Sequence, residues 1–103
     1  MEVVLITYES ELPPDEVTAR FRERSGKYRE MEGLVQKLYL RDEATGRFGG
    51  IYVFDSEASR DALFETDIHA TLREAYAVKG DVDVSTFHLE FPLYDSVNLA
   101  AAG

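Results

Sequence analysis

Residues 33–54, GLVQKLYLRDEATGRFGGIYVF, carry the clearest structural signal in the chain. Two runs rich in Leu, Val, Ile, Tyr and Phe flank a polar loop at residues 42–46, and this pattern predicts a β-hairpin. Gly49 and Gly50 open the second run, although glycine is a poor strand former. They indicate either a β-bulge or a place where a ligand or another chain approaches the backbone.

A strand and a helix precede the hairpin. Residues 2–8 are apolar on both faces, as in a buried strand. Pro13 and Pro14 then stop the strand and can open a helix, because the N–H that proline lacks would have no partner at that end. The charged residues at positions 20–24 are expected to face water. An apolar stripe at helical spacing is expected to face the sheet and comprises Val17, Phe21, Tyr28 and Met31.

A second helix follows the hairpin, and either Asp55 or Ser56 is expected to cap it. Its apolar pattern shifts at residues 66–67, which predicts a break at which Asp67 caps a new short helix.

The last predicted strand runs from Val82 to Phe91, after a turn predicted at residues 79–81. Its apolar phase switches near residues 85–86, which is typical of a bulge. Pro92 closes the strand, and the tail that follows it is not expected to form a helix.

The element order βαββαβ is typical of an α+β, ferredoxin-like sandwich, in which two helices cover one face of a four-stranded antiparallel sheet. We expect a single domain over residues 1–103, with a C-terminal tail at 92–103. The strands at 2–8 and 34–40 nevertheless carry apolar residues on both faces. A soluble monomer rarely exposes such a patch, so a homodimer through the open face of the sheet is expected.

Composition excludes several classes of partner. The 103 residues carry a formal net charge of -9, which opposes nucleic-acid phosphates and anionic lipids. No cysteine is present, so disulfides and thiolate metal sites are excluded. Neither a signal peptide nor a membrane span is recognisable, and a soluble, cytoplasmic protein is expected. The same βαββαβ order occurs in RNA-binding domains, but Ile51 stands where their motif requires a stacking ring.

Several short motifs resemble the dimeric α+β barrel superfamily and, within it, the YdhR-type mono-oxygenases. They are Gly33-Leu34, Lys37, GGIYVF at residues 49–54, Ile68-His69 and Phe91-Pro92-Leu93. The resemblance covers most of the chain and implies a ferredoxin-like protomer, a dimer through the sheets and a pocket between sheet and helices. Some members of the superfamily oxidise polycyclic aromatic substrates with O₂ and without metal or flavin, so the resemblance implies no cofactor. Other members degrade haem.

His69 is the candidate catalytic base. If Asp67 caps a helix, His69 lies in its first turn, where the positive helix end lowers the imidazole pKa and keeps the ring neutral. A neutral imidazole can take a proton from a phenol or an enol. His69 also matches the histidine of the YdhR-type pattern. The alternative is a partly exposed histidine that is hydrogen-bonded to the backbone.

Lys37 and three tyrosines are the candidate substrate-binding residues. Lys37 lies mid-strand among apolar neighbours, where a charged side chain needs a partner. It could hold an anionic oxygen of a substrate, but an ion pair with a neighbouring carboxylate is the favoured interpretation. Tyr8, Tyr39 and Tyr52 could line a slot for a flat ligand, or they could simply form the core.

These observations favour a cofactor-independent mono-oxygenase that acts on a small phenolic or polycyclic aromatic substrate with O₂. A non-catalytic dimeric protein that binds a small ligand or another protein is the first alternative, and a haem-binding or haem-degrading protein is the second. The two histidines lie far apart in sequence and show no ligand spacing, so no metal site is predicted.

Overall fold

The computed structural model describes residues 1–95, which form a four-stranded sheet and four helices. In chain order the elements are β1 (Glu2–Ser10), α1 (Pro14–Arg29), β2 (Leu34–Asp42), β3 (Arg47–Phe54), α2 (Glu57–Leu63), α3 (Asp67–Ala70), α4 (Leu72–Ala75) and β4 (Val78–His88). This order confirms the predicted βαββαβ arrangement, with the second helical segment divided into three. The prediction for the tail at residues 96–103 lies outside the described residues.

The sheet has the strand order β2-β3-β1-β4, and every neighbouring pair is antiparallel. The predicted hairpin is therefore confirmed as β2 and β3. Because β1 and β3 are the two central strands, both of their edges are paired and both of their faces can be apolar. Within residues 1–95, no helix has the length and apolarity that crossing a bilayer requires.

Gly49 is a point of close backbone approach and not a bulge. The pairing of β1 with β3 runs without interruption from Glu2–Phe54 to Glu9–Arg47. A Cβ atom added at Gly49 would lie 1.9 Å from the carbonyl oxygen of Ile6. Only glycine therefore fits at this position without a displacement of β1.

Helix α1 begins as the sequence predicts, with Pro14 as its first residue. Its buried residues are Val17, Phe21 and Tyr28, all members of the predicted stripe. The expectation that the charged residues at 20–24 all face water was wrong. Arg20 Nη1 donates to the Ala75 carbonyl at 2.9 Å, and Arg24 Nη2 donates to the Ile68 carbonyl at 2.7 Å. These bonds connect α1 to α3 and α4 because the last turns of helices leave carbonyls without partners.

Polar side chains cap α2 and α3. The Ser56 hydroxyl accepts from the Ser59 amide at the start of α2, in agreement with one of the two predicted caps. The predicted break at residues 66–67 is confirmed, but Thr66 and not Asp67 caps α3. The Thr66 hydroxyl accepts from the His69 amide at 3.3 Å.

Strand β4 begins and ends earlier than predicted: it includes the predicted turn at residues 79–81 and ends at His88 instead of Phe91. The bulge predicted near residues 85–86 was also wrong, since β4 pairs with β1 in unbroken register from Glu2–His88 to Thr7–Asp83. The irregularity lies further along, where Glu9 pairs with Lys79. Two extra residues of β4 are accommodated there, next to Gly80 at a φ of 76°.

The helices cover only one of the two faces of the sheet. The helices pack on one face and form a buried core with it, whose members are Val4, Ile6, Tyr8, Val17, Phe21, Tyr28, Phe48, Tyr52, Phe54, Leu63, Ile68, Leu72 and Tyr76. On the opposite face the register aligns Val3 with Val53 and Phe87, and Leu5 with Ile51. The Phe87 residue is 57% exposed. This face is therefore apolar, and residues 1–95 of one chain leave it partly exposed.

Candidate functional site

A cleft with two adjoining lobes lies between α1 and the edge strand β2. The lobes measure about 280 and 240 Å³, and Ser25, Arg29 and Tyr39 line both of them. The first lobe is further lined by Tyr28, Leu34, Val35, Gln36 and Lys37, and the second by Thr18, Phe21 and Arg22. The two lobes together fall within the range of small-molecule sites, roughly 300–1,000 Å³.

Lys37 lies at this cleft with its amine surrounded by aromatic rings. The Nζ atom is 3.3 Å from the centre of the Tyr28 ring, 4.4 Å from that of Tyr39 and 4.5 Å from that of Tyr52. The favoured interpretation of Lys37, an ion pair with a carboxylate, was wrong: none of the ion pairs in residues 1–95 includes it. Ring faces take the place of the carboxylate.

The surroundings of Lys37 favour the neutral amine. Burial lowers the pKa of Lys37 to about 6, and the positive charge of Arg24 adds to this effect. The ring faces stabilise the ammonium form and oppose the shift. Burial favours the neutral amine, whose lone pair can accept a proton.

Three buried tyrosines of the core, Tyr8, Tyr52 and Tyr76, keep their protons. Burial raises the pKa of Tyr52 and that of Tyr8 far above the usual value, and burial raises the pKa of Tyr76 to about 12. Nearby tyrosines contribute to all three shifts. The hydroxyl groups are therefore hydrogen-bond donors over the whole physiological range.

Each predicted substrate-binding tyrosine has a distinct position. Tyr39 lines the cleft itself. Tyr52 contacts the Lys37 amine, and β2 pairs with β3 so that these two residues lie opposite each other. Tyr8 instead stacks on Tyr76, with ring centres 5.4 Å apart. The structure therefore brings Lys37, Tyr39 and Tyr52 together, whereas Tyr8 belongs to the neighbouring part of the core.

His69 is not among the residues that line the cleft. It lies in α3, and its ring meets the ring of Phe64 edge-on at 5.1 Å between centres. Burial lowers the pKa of His69 below its usual value. Desolvation thus favours the neutral imidazole that was predicted from the helix end.

Nine residues of the cleft were not predicted as site residues, and Tyr28, Arg22 and Arg29 are among them. The 3.6-residue period predicted that Tyr28 packs against the sheet, and the side chain is indeed buried. The period could not show that one ring face would contact an amine on β2. Arg22 was expected only to face water, and Arg29 was assigned no role.

A second polar cluster, formed by Glu2, Arg60 and His88, lies outside the cleft. The buried carboxylate of Glu2 accepts from Arg60 Nη1 at 2.9 Å and lies 2.6 Å from His88 Nδ1. The hydrogen bond with His88 and the charge of Arg60 lower the pKa of Glu2. This cluster uses the side chain of Glu2 to join α2 to β4. In the described part of the chain, no group of three His, Cys, Asp or Glu residues is placed to hold a metal ion.

Comparison with known proteins places these features in a family context. Residues 3–95 match a family model described as "Putative mono-oxygenase ydhR". No curated protein matches the chain.

Solved structures share the fold. A "putative antibiotic biosynthesis monooxygenase" from Deinococcus radiodurans is 11% identical with a TM-score of 0.73, over 93% of this chain and 99% of that one. SnoaB from Streptomyces nogalater, described as a cofactor-independent oxygenase, is 16% identical with a TM-score of 0.69, over 89% and 96%. NE2512 from Nitrosomonas europaea, of unknown function, is 14% identical with a TM-score of 0.76, over 92% and 94%. At these identities the likeness shows the fold alone.

Proposed function

The chain belongs to the family described as putative mono-oxygenase ydhR, and from that premise we propose that it is a cofactor-independent mono-oxygenase for a small phenolic or polycyclic aromatic substrate. The substrate lies in the cleft between α1 and β2. The observation that carries this proposal is Lys37, which lines the cleft and whose amine lies within an aromatic cluster and has a pKa of about 6. A neutral amine in such a place is a general base.

Proton removal is the step that these residues would perform. Lys37 Nζ takes the proton from the hydroxyl group of the bound phenol, or from its keto tautomer, and becomes an ammonium. The resulting anion is electron-rich enough to give one electron to O₂. The radical pair then forms a carbon–oxygen bond, and the peroxide anion takes the proton back from the ammonium. Loss of water from the hydroperoxide leaves a ketone, so that one CH₂ group and O₂ yield C=O and H₂O.

The aromatic cluster supports this step in two ways. The ring faces stabilise the ammonium of Lys37 once it has formed. Tyr52 lies beside the amine and keeps its proton, so it can orient the substrate oxygen. Tyr39 lines the cleft where a flat ring would lie, and Tyr8 supports Tyr76 behind it.

Oxygen consumption with anthrone-type and quinol-type substrates tests the function. We expect turnover by the wild type and a loss of at least about 100-fold in Lys37→Met, the usual scale of a missing general base. His69 is the competing candidate for the base, so His69→Ala is assayed in parallel, and near wild-type turnover is expected. A loss confined to His69→Ala would return the base role to His69. Absence of turnover on every substrate would favour the non-catalytic binding protein.

The same proposal includes a homodimer through the apolar face of the sheet. Phe87 is 57% exposed there and lies beside Val3, whereas Val84 of the same strand faces the helical side. A face-to-face pair would bury these side chains without leaving either sheet open. Light scattering should give a dimer mass for the wild type and for the control Val84→Asp, and a monomer mass for Phe87→Asp. A monomeric wild type at micromolar concentration would refute the dimer.

A further inference from the structure

The cleft is positively charged although the protein is acidic. Among residues 1–95, the permanently cationic side chains of Arg22 and Arg29 line it together with the titratable amine of Lys37, and no Asp or Glu does. The whole chain holds 20 acidic residues against 11 basic ones. The charge of the cleft is therefore opposite to that of the protein as a whole.

The two arginines belong to one stripe of α1. Thr18, Arg22, Ser25 and Arg29 recur at intervals of three or four residues, so they lie on the same face of the helix. All four line the cleft. Arg22 and Arg29 are separated by about 10 Å along the helix axis, at 1.5 Å per residue. This spacing gives each lobe an arginine, since Arg22 lines the second lobe and Arg29 lines both.

Within the described part of the chain, these two guanidinium groups have no carboxylate partner. Neither Arg22 nor Arg29 takes part in the ion pairs formed within residues 1–95. Arg41 shows the contrast, because it donates to Thr18 at the end of the same stripe and pairs with both Asp15 and Glu43. Acidic side chains thus pair with Arg41, which lies outside the cleft. Among residues 1–95, no acidic side chain lines the cleft itself.

The charge of Arg29 reaches the inner wall of the cleft. Burial raises the pKa of Tyr39, and Tyr28 adds to this, while the positive charges of Arg29 and Arg24 oppose it. Arg29 therefore acts at the position of the Tyr39 hydroxyl, which lines both lobes. An anionic group placed there would be attracted by the positive charge of Arg29.

We propose that this cleft selects aromatic substrates that carry a carboxylate, with Arg29 as the main anchor and Arg22 as the second. The inference rests on the proposed function and narrows its substrate to a carboxylated phenol or polycycle. A guanidinium group binds a carboxylate through two parallel hydrogen bonds, which fixes orientation as well as position. The carboxylate at Arg29 then directs the ring across Tyr39, with its hydroxyl toward Lys37.

Binding of 2-naphthoate and its neutral analogue 2-naphthamide tests this selection by calorimetry at low salt. We expect the carboxylate to bind the wild type about tenfold more tightly than the amide, as for a charge-assisted pair. Arg29→Gln should remove most of this preference, and Arg22→Gln part of it. Lys27→Gln is the matched control, because Lys27 is an exposed cation of α1 that does not line the cleft.

The outcomes separate this inference from the oxygenase proposal because binding needs no turnover. Preferred binding of naphthoate that is lost in Arg29→Gln upholds the anchor, even if no oxygen is consumed. Equal affinities for the two ligands, or a preference that survives in the Arg22→Gln, Arg29→Gln double variant, would overturn it. If only neutral phenols are turned over, and neither arginine substitution changes the rate, the oxygenase proposal would stand and the carboxylate anchor would be refuted.

Discussion

The amine of Lys37 lies 3.3 Å from the centre of the Tyr28 ring, nearer than to either of the two other rings around it. Tyr28 belongs to α1 and Lys37 to β2, so this contact joins the helix to the edge of the sheet at the cleft. The ring stabilises an ammonium, whereas burial and Arg24 favour the neutral amine. The protonation of Lys37 is therefore the property of the site that is most directly testable.

Replacement of Lys37 by Met should change how stability depends on pH. The pKa of Lys37 is about 6 in the folded protein against 10.5 for a free lysine. Between these values the unfolded chain binds a proton that the folded chain lacks, so stability rises with pH, by at most about 1.4 kcal/mol per pH unit. Lys37→Met loses this term. The variant's free energy of unfolding in urea should exceed that of the wild type by the largest amount at pH 6, and this difference should shrink toward pH 9.

Lys27→Met provides the control for that measurement, because Lys27 is exposed on α1 and does not line the cleft. Parallel curves for the wild type and Lys37→Met would show that Lys37 keeps its proton in the fold.

Chemical labelling should identify Lys37 by its reactivity. Acylating reagents attack neutral amines, so an amine with a pKa of about 6 reacts at lower pH than most lysines. Brief treatment with acetic anhydride at pH 6.5, followed by peptide mass spectrometry, should modify Lys37 first. The exposed Lys27 and Lys79 are internal controls in the same digest. A single pH dependence for all three lysines would contradict the assigned pKa.

The pH profile of oxygen consumption should follow the neutral amine. If Lys37 is the base, kcat/KM rises with pH through about 6 and levels off above it, since only the unprotonated form accepts a proton. Lys37→Arg introduces a permanent positive charge and cannot lose its proton, so it should be inactive across the profile. Activity of Lys37→Arg equal to the wild type would assign Lys37 to charge stabilisation only. His69→Ala should keep the wild-type profile.

Gly49→Ala should destabilise the fold by about 3 kcal/mol or more, as overpacking of a core does. The added methyl group would lie 1.9 Å from the carbonyl oxygen of Ile6, within the central strand pair. Gly26→Ala is the matched control, because nothing lies within 4 Å of its added methyl group. It replaces a glycine inside α1 and should stabilise by about 0.5–1 kcal/mol. Chemical unfolding of both variants measures the difference, and a mild effect at Gly49 would mean that β1 can move.

Much of the fold could be predicted from local patterns. The alternating and continuous apolar runs at residues 33–54 gave the hairpin, and the two prolines gave the start of α1. The errors in β4 arose from its position at the edge of the sheet, where one side lacks a partner and apolar phase is a weak guide to register. Thr66 was overlooked as a cap because Asp67 beside it ranks above threonine as a capping residue.

The sequence by itself determined that Lys37 and Tyr39 share a face of β2, because side chains two residues apart on a strand point the same way. It also determined that the sheet has an apolar second face. Only the tertiary structure decided what surrounds the amine. The pairing of β2 with β3 sets Lys37 opposite Tyr52, and the packing of α1 brings Tyr28 over it and Arg22 and Arg29 to the cleft. These contacts depend on register and helix placement, and a slip of one residue in β2 would have turned Lys37 to the other face.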